Sequence, residues 1–400
     1  MTERDAPARA GIPEEARALH ARVLALDAHA DLVLPTTNPS YLAKDGTSKV
    51  SPERMREGGL DAVVLAIAVE PQRRNAEGFA RAAAIAAEKL AAFRRIVDDH
   101  PDVVAATTPK EIEGARAEGR RALVLGFQNA LILGTDPDAV VPWFEAGCRV
   151  FALTHMGHND FADSSRPLYR PRKRAYEPTE EHGGLSPLGE AALDRIVAHG
   201  GLVDVSQLSR NATLQAIERT RRPIVATHSN VRAISDVTRN LSGEEIDAIA
   251  RSGGVVHVSS FAPYLPRLGD PALMARVVAT RREHGLPETF SYPFELYWEI
   301  EDVTARTAFL TAMRGLIRDL SVEDMLDHVD HLAERVGVDH IGVGNDFNHG
   351  TNVRGFRDAT EAGHFTAGLM ARGYGEDDIA RIWSGNFLRA LKAAQDGATV

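Results

Sequence analysis

The chain carries several groups able to hold a cation or move a proton. Asp27-Ala28-His29-Ala30-Asp31 sets a histidine and an aspartate two residues apart. On a β-strand such residues share a face, so His29 and Asp31 project together. A neutral imidazole beside an anionic oxygen is the start of a divalent metal site. Further polar groups follow short apolar runs: Gln128 and Asn129, then His155 with Asn159 and Asp163 just beyond, then Asp204 to Gln207, Thr227 to Asn230, and Asn345-Asp346. Packing alone does not account for polar side chains at so many successive run ends. Catalytic groups gathered from the ends of several strands are the habit of barrel enzymes.

The elements that must position these groups alternate. Strands are expected at Val23–Asp27, Ala62–Val69, Ala122–Phe127, Val150–Thr154, Leu202–Val205, Ile224–Thr227, Val255–Val258 and His340–Gly344. Several are continuous in Ala, Val, Ile and Leu, as parallel strands covered on both faces require. Helices are expected at Glu77–Asp99, at Pro187–His199 behind Ser186, and at Ser242–Ser252, where Ser242 and Glu245 fit a capping box. Eight such strands predict one α/β domain over residues 1–400, a (β/α)8 TIM barrel of the metal-dependent hydrolase type, with an N-terminal extension at 1–22. No Gly-rich turn follows the first strand, which argues against a dinucleotide-binding sheet. Long connections at 36–59, 164–184 and 261–301 are expected to build the mouth of the site. In the last of these, Tyr264, Phe290, Phe294, Tyr297 and Trp298 suit either a substrate-covering lid or packing of the loop onto the barrel.

Net charge of −10 over 400 residues excludes a general nucleic-acid binder, which needs a concentrated basic surface. The short basic run Arg166 to Arg174 reads first as a solvated loop, with contact to an acidic group on a substrate as the alternative. The one cysteine, Cys148, is expected to be a small buried residue ahead of a strand, and no intrachain disulfide is possible. Met1 to Arg22 lacks the apolar core of a secretory signal, and no run reaches the roughly 18 apolar residues of a membrane span. A cytoplasmic protein acting on a small molecule, with no membrane or nucleic-acid partner, is the expectation. His257 reads as a core histidine, Asp163 as a brace for its loop and Asn386 as structural. His158 and Asp160 suit either support of the site or a loop surface.

The assembled motifs are specific. Gly184-Leu185-Ser186-Pro187-Leu188-Gly189, Thr238-Arg239-Asn240-Leu241, Ser252-Gly253-Gly254-Val255 and Gly385-Asn386-Phe387-Leu388-Arg389, taken with the strand ends above, resemble the membrane dipeptidases (renal dipeptidase, peptidase family M19) over nearly the whole length. The resemblance implies that His29 and Asp31 ligate a first zinc and His228 a second. It also implies that His155 polarises the substrate carbonyl, that Arg239 holds the substrate carboxylate, and that Asp346 handles the proton beside the metal-bound water. Asn159 is expected near the substrate, and a homodimer is the family-level expectation.

Two positions depart from that pattern. Gln128 stands where the family bridges two ions with a glutamate, and Gln207 where it has a histidine. A carboxamide offers one neutral oxygen and an NH2 group that repels cations. Two dications about 3.5 Å apart repel by roughly 20 kcal/mol at an effective dielectric constant near 20, and the bridging anion is the main local offset. One Zn2+ is therefore expected, and a second is not. The leading reading is a single-metal hydrolase cleaving a dipeptide or a similar small amide with a free carboxylate. The alternative is a diverged relative without dipeptidase activity, with a different, metal-free reaction or a small-carboxylate-binding role.

Overall fold

A computed structural model describes residues 11–170, 173, 175–288, 290, 300 and 302–400. The strands Leu26–Asp31, Ala62–Ala68, Arg121–Gln128, Cys148–Ala152, Leu202–Asp204, Val225–Ala226, Val255–Val258 and Ile341–Val343 follow one another in space as in sequence, each paired in parallel with the next. The last returns to the first: Asp31 N–H donates to Phe347 O at 2.9 Å, and Asp346 N–H to His29 O at 3.0 Å. The expected barrel is present.

Small apolar side chains fill the barrel interior near the strand starts: Leu26, Ala62, Val64, Val124, Val150, Leu202, Val225 and Val255 form one buried cluster. The closing helix Asn386–Asp396 packs Phe387, Leu388 and Leu391 into this cluster as a plug. Asn386 fixes the plug by donating to Val338 O and Ile341 O, the structural role expected of it. With that end sealed, polar groups can gather only at the other end, where the strands finish.

Boundaries shifted for physical reasons. The first strand begins at Leu26, not Val23, because the Val23 N–H caps the preceding helix Glu14–Arg22 through Leu19 O. That helix is no loose extension. His20 bonds Thr366 Oγ1 at 2.8 Å and Gly58 O at 3.0 Å, and its ring lies beside Trp383. A short strand, Val103–Ala105, pairs beside Arg121–Gln128 and was not expected. The 164–184 connection holds an antiparallel pair, Tyr169–Arg170 with Ala175–Tyr176, and the connection after Val255–Val258 holds the helix Pro271–Glu283. Tyr264 is buried against Phe261, which is packing and not a lid. Phe294, Tyr297 and Trp298 lie outside the described residues. Cys148 opens its strand, buried, and burial pushes its thiol pKa up. The capping box at Ser242 and Glu245 is present, and Ser186 caps its helix through Gly189 N–H. Among the described residues, no helix is long and apolar enough to cross a membrane.

Two buried histidines report on the interior. The Nδ1 of His257 bonds Ala226 O, and a Cβ on Gly342 would meet the His257 ring at 2.1 Å. His328 Nδ1 accepts from Val231 N–H at 3.0 Å, which requires a neutral ring. Burial holds His257 down to about 4 and His328 down to about 3. As pH falls below about 6.5, the unfolded chain takes up protons that these folded rings refuse, so stability falls by up to about 1.4 kcal/mol per pH unit per ring. Urea midpoints between pH 7 and pH 4 should therefore drop with a shallower slope in His328→Asn than in the parent; equal slopes would contradict the assignment.

Candidate metal centre

The site is built where the first, sixth and eighth strands end. His29 lies within an irregularity in register between Asp27 and Ala30, and its ring stacks on His228 at 3.7 Å between centroids, 22° from parallel. One ligand atom from each of His29, His228 and Asp346 lies within 4.8 Å of the others. Asp31 Oδ1 approaches His29 Nε2 at 3.5 Å, and Asp346 Oδ1 does so at 3.9 Å. All four residues are buried. His29 Nε2, Asp31 Oδ1 and Asp346 Oδ2 have no hydrogen-bond partner among the described residues. Buried polar atoms without hydrogen bonds are costly, and His29, His228 and Asp346 meeting here, with Asp31 beside His29, fit a cation.

One hydroxyl orients both imidazoles. Thr227 Oγ1 donates to Asp204 Oδ2 at 2.5 Å, which leaves its lone pairs to accept from His228 Nδ1 at 2.8 Å and His29 Nδ1 at 3.3 Å. Both rings then turn Nε2 toward the cluster, the support that metal-ligating histidines need. Asp204 is itself fixed by the backbone N–H groups of Ser206 and Thr227.

The electrostatics divide the histidines. Burial opposes the His29 imidazolium, but Asp31, Asp346 and Asp204 outweigh it and raise its pKa. His228 is driven well below the usual range by burial and then by the neighbouring His29. His155 is driven down by burial and by His349, and its Nδ1 has no partner among the described residues. Burial, reinforced by Asp31, raises Asp346 against the pull of His349 and His29.

Gln128 and Gln207 occupy the positions the sequence singled out. Each brings Nε2 to 3.5 Å from His228 Nε2, and each leaves its Oε1 buried without a partner among the described residues. Gln207 at φ 70° and Asp346 at φ 57° both adopt left-handed backbone. For non-glycine residues that costs on the order of 1 to 3 kcal/mol each, a strain typical of functional positions.

Arg239 is buried behind His228, donating to Ser229 Oγ at 2.8 Å and His228 O at 2.6 Å, with its guanidinium over the Tyr264 ring. Asn159 is committed to the fold: its amide donates to Asn129 Oδ1 and Leu153 O and accepts from Phe161 and Ala162 N–H. A substrate contact for Asn159 therefore finds no free side-chain group. Asp163 braces its loop through the N–H groups of Glu181, His182 and Gly184. His158 supports the same loop through Ser164 N–H and Pro178 O, and Asp160 pairs with Arg74. Sequence reading gave no role to His349, whose Nδ1 lies 3.4 Å from Asp31 Oδ2 and whose ring meets His155 edge-on. Its place three residues beyond Asp346, in the polar run closing the eighth strand, was the available signal.

The fold recurs in known proteins. A family model for membrane dipeptidases, peptidase family M19, matches residues 13–400. The crystal structure of the probable dipeptidase PvdM from Pseudomonas aeruginosa is similar at 33% identity and a TM-score of 0.85, over 96% of this chain and 98% of that one. A metallo peptidase from Rhodobacter sphaeroides, liganded with a phosphinate mimic of the dipeptide L-Ala-D-Ala, shares the fold at 21% identity and a TM-score of 0.71, over 93% of this chain and 99% of that one. Dipeptidase aclJ of Aspergillus oryzae is 25% identical over 84% of this chain and 68% of its own length; for dipeptidase tcpJ of Claviceps purpurea the figures are 24%, 70% and 52%. The chain thus spans about half to two thirds of these curated relatives. With the family model matching residues 13–400 and the barrel shared with a 33% identical dipeptidase structure, the chain belongs to the membrane dipeptidase family, whose members are metal-dependent hydrolases.

Proposed function

We propose that this enzyme hydrolyses the amide bond of a dipeptide, or of a similar small amide bearing a carboxylate, with a single divalent ion. The observation that carries the reading is the meeting of ligand atoms of His29, His228 and Asp346 within 4.8 Å of one another, with Asp31 Oδ1 at 3.5 Å from His29 Nε2 and neutral amides where a second ion would need anions. His29, Asp31 and His228 would hold the ion, zinc by family likeness. When bound it supplies a Lewis acid and lowers the pKa of water toward about 7.

The chain's own groups supply the rest. Asp346, with one oxygen free of protein partners, takes the proton from the attacking water and returns it to the leaving amine. His155, neutral by burial, donates to the substrate carbonyl oxygen as charge develops there. Arg239 offers the carboxylate of the leaving half a planar cation behind His228. Closed placement of these groups keeps bulk water from competing.

A second reading rests on the two amides. Their N–H groups can satisfy His228 Nε2 with no ion present, which suits a diverged family member with a metal-free reaction or a small-carboxylate-binding role.

Metal analysis after zinc reconstitution and desalting separates the two. One equivalent with dipeptide turnover is expected; an empty, inactive protein would favour the second reading. Asp346→Asn should lower kcat by on the order of 10² to 10⁴ while the ion is retained. Restoring Gln128→Glu with Gln207→His should raise zinc content from one equivalent toward two. Under the second reading the same pair of changes instead switches hydrolysis on from a near-zero background. Thr227→Val removes the hydroxyl that orients both imidazoles and should weaken zinc binding by roughly 10- to 100-fold, measured by competition with a chelating dye. Unchanged affinity would show that the hydroxyl does not set the ligands.

A further inference from the structure

A cavity of about 350 Å³ opens beside the candidate metal centre, lined by Asp31, His155, His349, Tyr41, Glu70 and Lys89 among others. Neither Arg239 nor His228 lines it. The cavity therefore enters from the Asp31 and His155 side, whereas Arg239 lies behind His228. On the reading that Arg239 takes the carboxylate of the leaving half, this space beside Asp31 and His155 is the one left for the acyl half.

Of the lysine and arginine side chains on the cavity wall, Arg81 and Lys89, the latter is the less exposed. It comes from the helix Ala76–Asp99, which otherwise packs Ala82, Ala86 and Phe93 onto the barrel. Arg81 and Glu88, also on the cavity wall, are exposed at its rim, whereas Lys89 is half-buried. The charge of Lys89 acts on both Asp31 and His155, so it lies within electrostatic reach of the reacting groups. Burial lowers the Lys89 pKa from the ordinary lysine value, and Asp31 and Glu70 pull the other way without outweighing it. It makes no hydrogen bond or ion pair within direct contact of the described residues. Asp31 and Glu70 lie within electrostatic reach of its ammonium but bond to it directly in neither case, so a substrate carboxylate entering the cavity can make the direct contact that they do not.

We infer that Lys89 is a specificity-determining residue, selecting substrates whose acyl-half residue carries a carboxylate. This rests on the hydrolase reading and on Arg239 taking the leaving half. An α-amino group alone in the cavity would be repelled by Lys89; an acidic side chain on the same residue offers it a charge-assisted hydrogen bond.

The test compares Glu-Ala with its neutral near-isostere Gln-Ala on the zinc-loaded enzyme. The wild type should favour Glu-Ala roughly tenfold in kcat/KM, the effect of one charge-assisted hydrogen bond, with the difference residing in KM. Lys89→Met keeps the apolar stem, and its ratio should fall to about one. Lys89→Glu should invert the preference toward Lys-Ala. A wild-type ratio near one, or a ratio that survives in Lys89→Met, would overturn the inference while leaving the hydrolase reading intact. If neither dipeptide is cleaved, the hydrolase reading fails and calorimetric binding of the same dipeptides decides the matter. Tighter Glu-Ala binding lost in Lys89→Met supports the role of Lys89, and equal affinities overturn it.

Discussion

The Thr227 hydroxyl, held by the Asp204 carboxylate and accepting from both His228 and His29, is the interaction on which the site turns. A hydroxyl has one proton; once it points at Asp204, only acceptor capacity remains for the two imidazoles. Both rings must then present Nε2 inward, although they come from the first and sixth strands. Without that hydroxyl, two stacked histidines 3.7 Å apart would have no reason to choose one tautomer, and a metal site would be one arrangement among several. The barrel supports this locally. Asp27 accepts from His29 N–H, Asn345 N–H and the Asn345 amide, so the closing seam is stitched directly beneath the ligands. Burial still pushes the Asp27 carboxyl up to about 6 against those donors, a measure of how dry the seam is.

Within that frame the two glutamines change the charge and leave the shape. Gln128 ends its strand in regular pairing with Ala68 and Ala152, and Gln207 turns inward through left-handed backbone. Their side chains still reach His228. What is lost is negative charge at the place where two dications would need it. The carboxylates that remain, Asp31 and Asp346, gather around His29, so the site's attraction for a cation is concentrated at one end of the histidine pair. Electrostatic repulsion between ions is large at these distances even after generous screening.

Much of this was legible in the chain itself. The eight apolar runs, the His29 and Asp31 alternation and the polar strand ends follow from the two-residue period of strands and need no tertiary knowledge. The first strand lies further along than expected because all but its first residue, Asp27 to Asp31, alternates polar side chains with alanine and yet is buried. Such a segment is stable only because the eighth strand and the site satisfy its groups, and that partner is over 300 residues away. His349 and Lys89 escaped notice for a related reason. A histidine in an irregular segment and a lysine on a long amphipathic helix are ordinarily solvated. Only the folding of the helix Ala76–Asp99 over the mouth, and of the run after Ile341–Val343 against Asp31, gives them chemistry. Asn159 failed in the opposite direction: its position beside His155 suggested substrate, but a buried loop needed its amide more.

The most direct test is a crystal structure of the zinc-loaded protein with anomalous data at the zinc edge. One peak within coordinating distance of His29 and Asp31, with the Gln128 and Gln207 amides outside the coordination sphere, is the predicted result. Two fully occupied peaks, or none with both amides closed onto His228, would contradict the single-ion account.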